Sequence, residues 1–383
     1  MKHPVGPNLW QFAAIAALAG CSYQTGSIPP HVSTSSRSAG GYAQSSAPYL
    51  YVENNNSTIS VFAVASSGAL TEIPGSPYDS QTNGPANFSI AIDGKGPYLY
   101  ATGTSSGNVA VFSIGGDGGL TSVSTSTDAG VGASFLLLPK GDRRAYVLNS
   151  YNGGQVDAFD LSKTGRKLKA VKNSPYGVTC PGFCDPNPTS AVTSGRFLYT
   201  VDTYGWYVSS FSIAANGSLT ELNSYATGYG PADAVLTPKG SYLYVTDGAQ
   251  ANVTAYRVAN GVLTALAGSP FPAGVTPLGI TITPSGTYVY VANSGDATIS
   301  GYAITAGGAL KTLAGSPFSD GSNTGPTALI ADKSGKHLFV TNSNTENIGV
   351  FQIKANGALA QVPNSPFAES GATGPKGLAL YQP

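Results

Sequence analysis

From Tyr49 onward, apolar and polar side chains alternate in short runs broken by Gly, Pro, Asn and Ser, the pattern of strands joined by tight turns. One run recurs with an aromatic residue at its centre. It reads Tyr49-Leu50-Tyr51-Val52, Tyr98-Leu99-Tyr100-Ala101, Arg144-Ala145-Tyr146-Val147, Phe197-Leu198-Tyr199-Thr200, Tyr242-Leu243-Tyr244-Val245, Tyr288-Val289-Tyr290-Val291 and His337-Leu338-Phe339-Val340. Successive copies lie 45 to 53 residues apart, which is the length of a four-stranded unit in a radial array.

Each copy predicts the same order of elements. A polar loop follows the aromatic strand and leads to a second strand such as Ile59-Ser60-Val61-Phe62. Turns such as Ala215-Asn216-Gly217 and Ala355-Asn356-Gly357 then supply the positive φ a hairpin demands. The third strand runs through Leu-Thr pairs and commonly ends in Ser-Pro-aromatic, as at Ser269-Pro270-Phe271. Proline is tolerated at a sheet edge, which makes this strand the outer one. A short strand of small and β-branched residues, as in Ile280-Thr281-Ile282, belongs nearest the axis, where room is least.

The first copy lacks such an inner strand, and the chain ends with a spare one, Gly377-Leu378-Ala379-Leu380. The fold class predicted is therefore all-β: a seven-bladed β-propeller of four-stranded antiparallel blades, closed by pairing the C-terminal strand with the N-terminal blade. Closure removes exposed sheet edges.

Composition agrees with that architecture. Only 10% of residues are charged, as expected where neighbouring blades cover each sheet on both faces. Nineteen basic and nineteen acidic side chains cancel, so no field draws the chain to nucleic acid. The densest basic cluster, Lys163, Arg166, Lys167, Lys169 and Lys172, surrounds a glycine and reads as a solvated hairpin.

The N-terminus is expected to be processed. Lys2 and His3 precede an apolar run from Phe12 to Ala19, too short to span a bilayer and fitting a signal peptide over residues 1–20. Leu18-Ala19-Gly20-Cys21 resembles the lipobox of bacterial lipoproteins, which implies cleavage before Cys21 and attachment of diacylglycerol to its thiol. Ser22 after the cysteine implies passage to the outer membrane. Residues 21–47 are rich in Ser, Gly, Thr and Pro and should form a flexible tether ahead of the propeller at 48–383. The expected location is the cell envelope, with membrane contact through the lipid alone. The two remaining cysteines, Cys180 and Cys184, are a plausible disulfide in an oxidising compartment; a metal site would need further Cys or His ligands nearby.

The strand endings Phe339-Val340-Thr341-Asn342 and Tyr290-Val291-Ala292-Asn293 resemble the Tyr-Val-Thr-Asn signature of bacterial surface propellers. With Pro-Ser-Gly-Thr-Tyr turns and Gly-Ala-Leu outer strands, they resemble the lactonase-type seven-bladed propellers, a family that includes a bacterial 6-phosphogluconolactonase and a fungal muconate-cyclising enzyme. The resemblance covers roughly Tyr49 to Leu380. It implies the fold and, as one reading of function, hydrolysis of a lactone or sugar ester.

Strand order puts two loop sets on one face of the ring: those after the aromatic strands and those leading into the inner strands. The first set carries Asn54, Asn149, Asp202, Asp247, Asn293 and Asn342 at equivalent positions, with Gly103 in the remaining copy. Such side chains commonly close turns on their own backbone; alternatively they line the mouth and gather a ligand, or even a divalent cation. No cofactor is required by either reading.

Glu53, Asp233 and Lys376 break the repeat and are the candidate catalytic groups, a carboxylate activating water while Lys376 steadies an oxyanion; Asp185 beside Cys184 is a further loop acid. As solvated loop charges they would do neither. No histidine serves the mouth: His3 and His31 precede the propeller and His337 starts a strand at the opposite face. Tyr204, Trp206 and Tyr207, with Tyr151 and Tyr229 in comparable loops, are the aromatics that could stack on a ligand or pack between blades. The favoured expectation is a lipid-anchored, monomeric propeller that binds a glycan, peptide or protein partner, with lactone hydrolysis as the alternative.

Overall fold

The computed structural model describes residues 47–383 apart from 83–88, 94–95, 142, 152, 163–166, 180–185, 372 and 383, all within one compact unit that begins at Tyr42. The signal segment, Cys21, the tether, Cys180, Cys184 and Asp185 lie outside the described residues.

Every regular element among the described residues is a strand, and the strands form seven antiparallel sheets. In blade 5, for example, the inner strand Pro231–Leu236 pairs with the aromatic strand Tyr242–Asp247, which pairs with Asn252–Ala259, which pairs with the outer strand Val262–Ala265. Blade 1 draws on both ends of the chain: Tyr49–Asn54 pairs with Thr58–Val64 on one side and with the C-terminal strand Pro375–Tyr381 on the other. The seven inner strands contact one another in sequence around the axis, with Pro375–Tyr381 lying between the inner strands of blades 7 and 2. The expected seven-fold closure is thus the observed one.

The core is divided among the seams. Seven clusters of buried side chains each draw on two adjacent blades; one joins Tyr51, Ile59 and Val61 of blade 1 to Leu99, Ala110 and Phe112 of blade 2. The repeat motif explains why. The second aromatic of a strand lies in the seam, and its hydroxyl reaches the hairpin glycine of the next blade: Tyr51 donates to the Gly118 carbonyl at 2.8 Å, Tyr244 to Gly308 at 2.7 Å and Tyr290 to Gly357 at 2.7 Å. The first aromatic packs on that same glycine. At Gly118, whose φ of 82° L side chains rarely adopt, a Cβ would stand 2.4 Å from the Tyr49 ring, so both the backbone and the neighbour require glycine.

The Ser-Pro-aromatic motif does not end the outer strand but interrupts it. In blade 5, Val262–Ala265 stops, a Ser269-Pro270 cis peptide turns the chain, and Phe271–Pro272 pairs again with the same neighbour. The serine hydroxyl fills the gap in the ladder by accepting the Ala255 N–H at 2.9 Å. Ser76, Ser174, Ser316 and Ser365 do the same for Val61, Ala158, Gly301 and Val350. Blades 2 and 4 lack the motif, and their outer strands, Leu120–Asp128 and Leu219–Ala226, run unbroken.

Candidate functional site

Five inner strands begin with a proline at the mouth face and bulge immediately after it, shifting register against the aromatic strand. Residues at these bulges, and those opposite them near the end of the aromatic strands, form the floor of the mouth. In most blades they are uncharged and tie neighbouring blades together. Thr246 donates to the Leu278 carbonyl at 2.6 Å, and Thr327 donates to the Pro375 carbonyl at 3.2 Å while sharing a hydrogen bond with Thr341 at 2.9 Å.

Blade 1 departs from this pattern. Where other aromatic strands carry Thr102, Leu148, Val201, Thr246, Ala292 or Thr341, it has Glu53; where other bulges carry Thr189, Ala232, Leu278 or Thr327, it has Lys376. Glu53 is fully buried, pairs in register with Gly377, and neither carboxyl oxygen has a hydrogen-bond partner among the described residues. Burial drives its carboxyl well above the ordinary range, opposed by the Lys376 charge. Lys376 is partly exposed; burial holds its ammonium below the ordinary lysine range, opposed by Glu53. The two expected partners are therefore electrostatically coupled, with Lys376 on the solvent side.

Asp233 has other neighbours. Its carboxylate accepts hydrogen bonds from Ser190 Oγ at 2.6 Å and the Ala234 N–H at 2.8 Å on one oxygen, and from the Ile280 N–H at 3.2 Å on the other. Burial raises its pKa and those three donors lower it. Asp233 thus links the inner strands of blades 4, 5 and 6, and neither it nor the Glu53–Lys376 pair figures among the charges acting on the other.

The Asn and Asp ring turns inward instead of lining the mouth. Asn149, Asp202, Asp247, Asn293 and Asn342 are buried, as is Asn54. Asp202 accepts from the Asn187 and Gly205 N–H groups and from Tyr207 Oη; Asp247 accepts from Gly228 N–H and Thr254 Oγ1; Asn293 accepts from Gly274 N–H and donates to Thr298 and Ser300. Asn149 donates to the Ala129 carbonyl, and Asn342 to Asn347. Asn149, Asp202, Asp247 and Asn293 pin their blade's loop to the lead-in of its inner strand, and Asn342 holds the start of the following strand, the arrangement of turn-closing side chains; at most 2% of each is exposed at the mouth.

Tyr204 and Trp206 do reach solvent, as do Tyr151 and Tyr229. The Trp206 and Tyr229 rings meet edge to face, 4.4 Å between centroids at 67°.

Two groups that the sequence reading passed over are Asp320 and Glu369. Both follow Ser-Pro-Phe-x, at the seams of blades 6 and 7 and of blades 7 and 1, and burial pushes their carboxyls up to about 7 and about 8. The recurrence of an acid at the same offset from Ser-Pro-Phe was the available signal. Among the described residues no group of three or more His, Cys, Asp or Glu side chains is arranged to hold a metal ion. Two grooves follow the seam of blades 6 and 7, one lined by Pro317, Phe318 and Phe351 and one by Tyr288, Lys336 and Lys354; neither includes Glu53, Asp233 or Lys376.

A family model described as "Lactonase, 7-bladed beta-propeller" matches residues 20–136, 124–276 and 193–373. The chain belongs to this lactonase family. It is 25% identical over 222 residues to a 6-phosphogluconolactonase of Erwinia tasmaniensis, a match covering 56% of this chain and 64% of that protein. Among solved structures, the periplasmic gluconolactonase of Pseudomonas aeruginosa superposes with a TM-score of 0.74 at 18% identity, covering 88% of this chain and all (100%) of that one. A protein from Lactobacillus plantarum gives 0.72 at 16%, covering 88% and 99%. At such identities these likenesses bear on the fold.

Proposed function

We propose that this lactonase-family propeller hydrolyses an uncharged sugar lactone at the mouth of its channel, using Lys376 with Glu53 behind it. The observation that carries the reading is the Glu53–Lys376 pair itself: opposite charges placed once, at register positions that the other described blades fill with uncharged residues, in a family of lactonases. Burial favours the neutral forms of both partners. A Lys376 amine held below its ordinary pKa accepts a proton from water as the oxygen attacks the lactone carbonyl. The resulting ammonium steadies the oxyanion and, as the ring C–O bond breaks, returns the proton to the leaving alkoxide, so one water is consumed and a hydroxy acid released. Glu53, having no exposed surface, is a positioning residue that sets the proton affinity of Lys376.

An uncharged substrate is favoured because no Lys or Arg stands in the mouth-face loops to join Lys376 in gripping a phosphate. The expected attachment through Cys21 would place the enzyme in the envelope; a Cys21→Ser chain should then leave the membrane fraction.

The test is a pH profile of kcat/KM on glucono-δ-lactone. Lys376→Met should lose activity at least roughly a hundredfold. Glu53→Gln should keep much of it but move the acid limb to lower pH, since the Glu53 charge raises the Lys376 pKa. An unshifted limb, or a fully active Lys376→Met, would defeat the proposal.

A further inference from the structure

The exposed large apolar side chains are not scattered. Among the described residues, six of the eight, Val131, Tyr151, Tyr204, Trp206, Tyr229 and Val275, are between 45% and 61% exposed and stand on mouth-face loops of blades 3 to 6, while the other two, Leu222 and Val262, lie on outer strands of blades 4 and 5. The six form an arc on the side of the ring away from Glu53 and Lys376.

The turn that carries Trp206 is costly to build. Its left-handed position, φ of 59° at Trp206, is filled in other blades by Ser57, Gly107, Ala251, Ala297 and Glu346. A bulky residue is disfavoured there, and an indole left 45% exposed returns only part of its burial to folding. The surroundings nonetheless hold it firmly: its N–H donates to the Asp202 carbonyl at 3.0 Å, and its own carbonyl accepts the Thr227 N–H at 2.9 Å. Gly205 lies so close to the Tyr207 ring that a Cβ would collide with it, while Tyr229 abuts the indole. The buried Asp202 carboxylate, which accepts the Gly205 N–H, anchors the whole turn.

We infer that this arc is a stacking site for a neutral oligosaccharide, with Trp206 and Tyr229 as its central platform. Ring faces suit the C–H faces of pyranose units, and the rigid pair spares the entropy of ordering long side chains. The neighbouring positions carry Gln250 and Ser294, groups that exchange hydrogen bonds with hydroxyls, while Ser150, Thr203 and Thr227 donate to the Pro188, Pro231 and Gly228 carbonyls and keep lone pairs to accept. Asp296 is the one exposed charge in these described loops, a setting that offers little to an acidic glycan or to the Arg-rich contacts common at protein interfaces. Aromatics carried by successive blades follow the rim and fit a linear ligand.

The experiment titrates the full-length chain with cellohexaose, xylohexaose, maltohexaose, laminarihexaose and chitohexaose, reading calorimetric heat and tryptophan emission. None is a lactone, so the outcome is independent of the proposed hydrolysis. At least one should bind and shift the emission; Trp206→Ala and Tyr229→Ala should each weaken it roughly tenfold or more, while Trp206→Phe retains most of the affinity. Glu53→Gln should bind as the parent does. Absence of binding by all five sugars, or binding indifferent to both alanine variants, would overturn the inference, as would a shift confined to chains retaining only Trp10.

Discussion

Glu53 and Gly377 face each other across the join of the two chain ends, so closely that a Cβ on Gly377 would stand 3.0 Å from Glu53 Oε2 and 3.3 Å from Glu53 Cβ. The ring closure and the candidate site therefore share atoms. Gly377→Ala should press on the Glu53 side chain and cost about 1–3 kcal/mol. Glu53→Ala removes the Oε2 contact and keeps the Cβ one, so a double-mutant cycle in denaturant unfolding should show a coupling that is part of the single-mutant loss; additive effects would show that the two positions are independent.

Loss of the last strand tests closure directly. A chain ending at Gly374 lacks the strand Pro375–Tyr381 and leaves Tyr49–Asn54 an open edge. It should unfold at lower denaturant and with a broadened transition, or aggregate. An unfolding curve matching the parent would show that the join contributes little.

The serine hydroxyls at the outer-strand breaks should matter more than their exposure implies. Ser269→Ala removes the acceptor for the Ala255 N–H, and Ser365→Ala that for Val350. Each should destabilise by about 1–3 kcal/mol, the cost of leaving a buried donor unmet. Thermal unfolding of the two variants, beside Ser67→Ala in an exposed turn, measures it.

Two acids at the seams set a pH dependence. Burial pushes the Asp320 carboxyl up to about 7 against the opposing pull of Thr324 and Asn342; burial, with Glu72 and Glu346 nearby, takes Glu369 to about 8. Ordinary carboxyls in the unfolded chain titrate near about 4. Between those values the folded chain holds protons that the unfolded chain has released, so these groups' contribution to stability is intact below about pH 4 and falls until about pH 7 to 8. Asp320→Asn should consequently gain on the parent by on the order of 2–4 kcal/mol at pH 8 and far less at pH 5. Equal differences at both pH values would refute the assignment.

The blade count, strand order and closure were legible because the repeat fixes them several times over: seven aromatic strands and one spare C-terminal strand admit few arrangements. The same repetition left Asn149 and Asn293 open between turn closure and ligand contact. A residue ending a strand can turn toward solvent or toward the next loop, and alternation does not say which; the N–H groups of those loops decide it. Glu53 and Lys376 were found because they break the pattern, but their pairing depended on register at the bulge after Pro375, which the sequence does not display. Asp233 stood out for the same reason, yet its hydrogen bonds come from strands on two neighbouring blades.

Because each seam cluster draws on two blades, the earliest-made sheet waits for the last residues of the chain. A ribosome delivers Tyr49–Asn54 first and its partner Pro375–Tyr381 more than three hundred residues later. Until then the growing molecule exposes an unmatched flank, and a chaperone or an export channel that keeps the polypeptide extended would suit a product able to seal itself only once it is whole.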